Sequence, residues 1–407
     1  MLAVGGATVV EWYDFTLCLY FAPTLSRVFF GTGKDALGDT LAGFAIAYLM
    51  RPLGALLLGL LGDRRGRRPT LLLTMAAMTM AMLGIALLPT HQMVGLWAGW
   101  ALVLMRCLMG FSVGGEYTAV VTYLYESAPA HRRGLITSLA AAASEIGGLL
   151  AVGLCALLTG SLDAASLEGW GWRVPFLFGA ALAGTIWVLR GTISETPEFH
   201  QPAADQPSPL AHVLRHERKG IAAGFAISAL GSISYYVGIT YVPTYLALVG
   251  GTDQGLALEF STLAALVVIA VTPVVGWLSD IAGRKAVLLT LCAACALLPM
   301  ALFKLIAGGS TGPALGAIAL LAALAGGVSA VGTVATVEQF SALSRLSGLA
   351  LGATSATALF GGLTPFLAHR LQQATGLIEV PGIMIALVAL GSGLALMRLL
   401  PGGKLRG

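Results

Sequence analysis

The sequence predicts an all-α membrane protein in which twelve transmembrane helices form two pseudo-symmetric six-helix bundles. Three observations carry that prediction. The 407 residues are 57% hydrophobic and 10% charged, with a mean hydropathy of +0.86, whereas charged residues make up about a quarter of a soluble domain. The apolar runs are about 20 residues long, the length a helix needs to cross hydrocarbon and too long for barrel strands. One charged motif also occurs twice: GLLGDRRGRR from Gly59 to Arg68 returns as GWLSDIAGRK from Gly276 to Lys285, and both read G-x-x-x-D-x-x-G-R-[RK].

Further anchors repeat at nearly the same offset. Glu126 to Arg133 (ESAPAHRR) recurs as Glu338 to Arg345 (EQFSALSR), and Gly147-Gly148-Leu149 recurs as Gly361-Gly362-Leu363. Tyr20 to Thr24 has a weaker echo in Tyr241 to Thr244. Charged and glycine anchors in one order, roughly 215 residues apart, mean that the chain is two related halves.

Spanning runs fall near 2–23, 39–61, 70–89, 94–117, 134–158 and 173–191, and then near 220–248, 259–279, 286–306, 313–336, 347–369 and 380–400. This divides the chain into an N-terminal bundle (1–191), a linker (192–218) and a C-terminal bundle (219–407). The linker holds prolines and mixed charge, as a connecting segment should. No basic residue precedes the first run, and Glu11 and Asp14 interrupt it, so it reads as a retained helix rather than a signal peptide.

Most loop cations fall on one side of this layout, among them Arg64, Arg65, Arg67, Arg68, Arg132, Arg133, Arg190, Arg215, Arg218, Lys219, Arg284, Lys285 and Arg345. The positive-inside rule puts that side, both termini and both repeated loops in the cytoplasm, as expected of a multi-pass inner-membrane protein. The net charge of +4 therefore reports orientation and not nucleic-acid binding. The five cysteines all lie within apolar runs, which indicates neither a disulfide framework nor a metal site. No nucleophile elbow or phosphate loop is present, so the chain does not read as an enzyme.

The repeated loops need glycines for tight turns, and their charges suit a latch made in one state of the bundle and broken in another. Gly59, Asp63, Gly66, Arg67, Arg68, Glu126 and Arg133 would form it in the first half, with Asp280, Arg284, Glu338 and Arg345 in the second. Charges inside the spans are costly and mark function by default. Glu11, Asp14, Arg51, Arg106, Glu116 and Glu145 all lie in the first half. Glu11 and Asp14 share a helix face. Arg106, Gly110 and Gly114 follow i, i+4, i+8, a narrow face that admits a close neighbour. Glu116 suits either an interhelix brace or a proton or substrate role, and Arg51, followed by Pro52, suits either a brace or an anion ligand.

The duplicated loop in a six-plus-six layout resembles the major facilitator superfamily. VEWYDF (Val10–Phe15), RPLG (Arg51–Gly54), GFSVGGEY (Gly110–Tyr117), ESAPAHRRG (Glu126–Gly134), WGWRVPF (Trp170–Phe176), SETPEF (Ser194–Phe199) and FGGLTP (Phe360–Pro365) resemble, more narrowly, its metabolite:proton symporter family. That family includes carriers of proline and betaine, α-ketoglutarate, citrate and shikimate. The resemblance implies a proton-coupled secondary transporter that takes up a small carboxylate-bearing metabolite by alternating access. It implies protons as coupling ion, no other cofactor, a lipid bilayer and a small solute as partners, and function as a monomer.

The resemblance also implies that Asp14 faces Arg106; Glu11 and Glu145, as charges inside the spans, are further candidate proton-coupling acids. Arg106, Arg51, Glu116 and Tyr13 become candidate solute ligands, joined by Tyr235, Tyr236 and Tyr241, whose segment is similar to the proline/betaine branch. The chain departs from the family in helix five, where Leu139 and Ala141 stand at positions often aromatic and polar and the polarity has moved to Ser144 and Glu145. It departs again before helix eleven, at Ser341 and Leu343. Two rival functions fit the same fold: a proton-coupled exporter of drugs or siderophore-like compounds, and a transport-like receptor that binds without translocating.

Overall fold

A computed structural model of the chain describes residues 2–31, 36–199, 208–249, 254–308 and 310–400. The linker centre at 200–207 and the C-terminal end after 400 lie outside the described residues. Among the described residues, ten helical stretches are long and apolar enough to cross a bilayer, or eleven when Arg284–Leu297 and Pro299–Ala307, bent by 44°, count as one. Leu2–Tyr20 occupies the remaining expected run and is helical throughout, with Glu11 and Asp14 inside it. No strand occurs among the described residues.

The chain forms two compact units, Met1–Tyr123 with Ala143–Gln206, and Leu124–Ala142 with Pro207–Gly407. The short stretch 124–142, which sequence order puts in the first half, thus packs with the second unit.

The first unit is built from α1 (Leu2–Tyr20), α2 (Ala22–Phe29), α3 (Ala36–Arg65), α4 (Arg67–Leu87), most of α5 (Trp97–Ser127), the later part of α6 (Arg133–Ser161) and α7 (Arg173–Arg190). Lipid offers no hydrophobic drive for helix association, so close packing must come from small residues. A Cβ on Gly110 would overlap the Ala47 carbonyl oxygen, one on Gly114 that of Arg51, and one on Gly54 that of Phe111. These glycines bring α3 and α5 into backbone contact. Gly147 does the same for α6 against the Val9 carbonyl of α1.

The second unit contains α8 (Pro209–His216), α9 (Arg218–Tyr235), α10 (Val242–Val249), α11 (Gln254–Ala282), α12 (Arg284–Leu297), α13 (Pro299–Ala307), α14 (Thr311–Val337), α15 (Arg345–Leu349), α16 (Thr364–Thr375) and α17 (Val380–Leu399). Its core is almost wholly apolar, with Leu230, Ile233, Leu288, Phe303, Val328 and Val331 among the most buried side chains. Wide π turns interrupt the helical path at Tyr236–Thr240, Ala350–Thr354 and Ala358–Gly362.

Both repeated loops turn on one glycine in a backbone region closed to other residues. Gly66 joins α3 to α4 at φ +107°, and Gly283 joins α11 to α12 at φ +91°.

Candidate solute and proton site

Helix α1 places Glu11, Asp14 and Cys18 along one face at i, i+3 and i+7, and all three are buried. Arg106 of α5 meets Asp14 in a two-pronged pair, donating from Nη1 to Oδ2 at 2.9 Å and from Nη2 to Oδ1 at 2.8 Å. Its Nη1 also donates to Cys18 Sγ at 2.6 Å, and its face lies 5.9 Å from the Phe176 ring. Planar fork and carboxylate match in geometry, which makes this arrangement the strong form of an ion pair. The Nε of Arg106 is buried with no hydrogen-bond partner.

A second pair stands beside the first and is looser. Arg51 Nη1 of α3 lies 3.5 Å from Glu11 Oε1, and Glu11 Oε2 is buried without a hydrogen-bond partner. The Arg51 guanidinium rests over the Tyr48 ring at 4.7 Å and the Phe15 ring at 5.5 Å, a cation–π setting that partly replaces water. Asp14, Phe15, Cys18, Tyr48, Arg51 and Arg106 all line one cavity of about 60 Å³ in this unit.

Glu116 and Tyr13 lie apart from that cavity. Glu116 is fully buried and sits 2.7 Å from Arg190 Nη2, with Thr74 Oγ1 donating to its other oxygen. Arg190 Nη1 donates to the Leu71 carbonyl at 3.0 Å, so the group ties α5 to α4 and α7. Tyr13 is wholly buried, and its hydroxyl donates to the Pro175 carbonyl at 2.7 Å. Glu145 is buried within α6, close to Gly147.

In the second unit, Tyr235 and Tyr236 meet edge to face at 5.7 Å. Tyr241 donates to Gln372 Oε1 at 3.0 Å. These rings gather around the first π turn, and Tyr236 packs against Gly361.

The repeated loops are held differently. In the first, Asp63 pairs with Arg67 at 3.5 Å within a turn, and Arg67 Nη1 donates to the Gly62 carbonyl at 3.1 Å. The Glu195 carboxylate accepts from the backbone N–H of Arg67 at 2.9 Å and of Arg68 at 3.1 Å. An anion at the positive end of α4 is favourable and satisfies orphan donors. Arg68 Nη2 donates to the Gly191 carbonyl at 2.9 Å, and Gly59 lies within α3 just ahead of the loop.

In the second loop, Asp280 accepts from the backbone N–H of Gly134 at 2.8 Å and of Leu135 at 2.9 Å, capping α6. Arg284 holds Asp280 at 2.7 Å and Glu338 at 3.2 Å. Burial holds the Glu338 carboxyl above its ordinary value, against the opposite pull of Arg284. Arg345 pairs with Glu126 at 2.6 Å, and Arg133 Nη1 donates to the Tyr125 hydroxyl at 2.8 Å.

Three participants lie outside the sequence reading. Arg190 counts there as a loop cation but is fully buried; the need of buried Glu116 for a cation is the one signal that points to it. Glu195 lies within the linker motif SETPEF and serves the α4 terminus. Cys18 follows Asp14 at i+4, a spacing that shares its face, yet cysteines in apolar runs read as inert.

Comparison with known proteins agrees with this architecture. A model of the Major Facilitator Superfamily matches residues 4–365. The ectoine/proline transporter ProP of Corynebacterium glutamicum is 35% identical over 97% of this chain and 83% of its own length. The citrate-proton symporter of Klebsiella pneumoniae is 32% identical over 96% of this chain and 89% of its own. Among solved structures, the proton:xylose symporter XylE of E. coli superposes with a TM-score of 0.81 at 20% identity, covering all of this chain and 96% of that one. Family model, relatives and superposition converge with the duplicated loops and the helix layout, and the chain belongs to the major facilitator superfamily.

Proposed function

We propose that this protein is a proton-coupled secondary transporter that takes up a small carboxylate-bearing metabolite by alternating access, and that the Asp14–Arg106 pair couples the two fluxes. The observation that carries the reading is this buried, two-pronged pair on the wall of a cavity. A guanidinium does not give up its proton. Once Asp14 is protonated, Arg106 is a buried cation without an anion, a situation that costs several kcal/mol. A solute carboxylate relieves it, so proton and solute favour each other's binding, which is what symport requires.

Two features support the rest of the reading. The cations near Arg64, Arg133 and Arg284 support an orientation with the repeated loops and both termini on the cytoplasmic side. Glu126, Arg345, Asp280 and Arg284 supply the contacts of a latch. Protons serve as the coupling ion without another cofactor, and one chain carries the site.

The test is reconstitution in proteoliposomes. Asp14→Asn is expected to reduce acid-driven accumulation to the level of empty vesicles while solute counterflow persists. Undiminished acid-driven accumulation in that variant would remove Asp14 from the coupling role. Proton-driven efflux would indicate an exporter, and binding without counterflow a receptor.

A further inference from the structure

We propose that Glu11 and Arg51 form a second coupling pair beside Asp14 and Arg106, so that the solute is a dianion carried with two protons and no net charge. This rests on the transport reading above and names the substrate class of that same cavity.

Charge and placement carry the inference. The cavity is lined by two guanidiniums, Arg51 and Arg106, and each is matched by its own acid on α1, Glu11 and Asp14 respectively. With both acids ionised, the four groups sum to zero. With both protonated, the set carries two positive charges that its own acids no longer balance. A solute with two anionic groups restores neutrality; a zwitterion restores neither charge and a monocarboxylate only one.

Helix geometry brackets such a solute. The glycine seam sets Ala47 against Gly110 and Arg51 against Gly114, so α3 and α5 run in the same direction there. Arg51 and Arg106 are therefore offset by about two turns, about 12 Å along the helix axes at 1.5 Å per residue. Both side chains line the shared cavity, so each of two carboxylates entering it meets a guanidinium.

The two pairs differ in strength. Asp14 grips Arg106 with both oxygens, whereas Glu11 Oε1 lies 3.5 Å from Arg51 and Glu11 Oε2 has no hydrogen bond. Arg51 is also the more open guanidinium, its side chain 17% exposed against 5% for Arg106. The loose pair opens first, and Arg51 takes the leading carboxylate. The charged groups acting on Glu11 are Arg51 of α3, Glu116 of α5 and Asp14 of its own helix. Glu116 is already neutralised by Arg190, which leaves Arg51 and Asp14 to set its response.

The step balances: two protons and one dianion enter on one side and leave on the other. Accumulation then responds to the pH gradient twice over and to membrane potential not at all.

Succinate uptake by the reconstituted full chain tests this. Wild type is expected to accumulate succinate roughly a hundredfold per unit of pH gradient, and a potassium–valinomycin potential should leave that ratio unmoved; one proton per solute gives roughly tenfold. Glu11→Gln should carry one proton and a net negative charge, so that an interior-negative potential lowers its accumulation about tenfold per 60 mV. Glu11→Asp, which keeps the carboxylate, should restore the two-proton slope. One-proton coupling in wild type, or a Glu11→Gln variant with the wild-type slope, overturns the proposal. Proline or betaine counterflow with succinate excluded overturns it too, while leaving the transport reading intact. Failure of succinate, α-ketoglutarate, citrate, proline and betaine alike to exchange would overturn the transport reading itself. The wild-type slope and Glu11→Asp decide the matter if Glu11→Gln does not fold.

Discussion

Removal of the Glu116 carboxylate would leave the Arg190 guanidinium, fully buried between α4, α5 and α7, without its anionic partner. Breaking a buried pair from one side costs about 3–5 kcal/mol, whereas replacing both partners by apolar groups is often neutral. Glu116→Ala is therefore expected to lower the melting temperature in detergent sharply, and Glu116→Leu with Arg190→Met to recover most of it. A double-mutant cycle on unfolding free energies checks this. Asp14 and Arg106 form the same kind of pair but face a cavity, so their loss should appear in coupling as well as in stability. At this scale the sequence was informative where periodicity speaks. The i, i+3 face of Glu11 and Asp14 and the R-x-x-x-G-x-x-x-G face of α5 are both readable from spacing, whereas Cys18 on the same face reads as inert. Which cation meets Glu116 was not, because Arg190 lies more than seventy residues away and ends an apolar run like any other flanking arginine.

The two loop glycines let a backbone effect be separated from a contact effect. Gly66 and Gly283 share a conformation that costs other residues about 1–3 kcal/mol. A Cβ on Gly283 meets nothing, whereas one on Gly66 would overlap the Glu195 carboxylate. Gly283→Ala should thus cost the backbone strain alone. Gly66→Ala should cost that strain plus the loss of an N-terminal cap, about 1 kcal/mol more, and Glu195→Ala should show the cap alone. Unfolding free energies of the three variants give the comparison, and equal costs for the two glycine variants would contradict the capping role. The turn glycines themselves were legible as a repeated motif. The cap was not, since Glu195 comes from a linker whose packing no local pattern encodes.

Across the whole chain, one duplicated sequence has been put to two uses. The first copy of the loop is capped from the linker by Glu195, whereas the second copy caps α6 through Asp280 and shares Arg284 with Glu338. Glu338 binds its proton more tightly folded than unfolded, so this group holds its proton in the folded state where the unfolded chain, with an ordinary value of 4.5, is losing it. Stability from this group is present at lower pH and is lost as pH rises through the window above that value. Glu338→Gln is expected to flatten that slope in denaturation measured across pH. The duplication, the helix count and the concentration of buried charge in the first unit were all legible, because hydropathy and repeats are properties of order along the chain. That 124–142 packs with the second unit was not, since a helix with no break in its pattern gives no sign of changing neighbours. Gly54, Gly110 and Gly114 leave α3 and α5 touching through bare backbone, so neither helix can slip past the other without driving a methyl into a carbonyl. Under the two-pair proposal Arg51 and Arg106 then keep a constant spacing, and solutes one methylene longer or shorter are expected to be sorted by length.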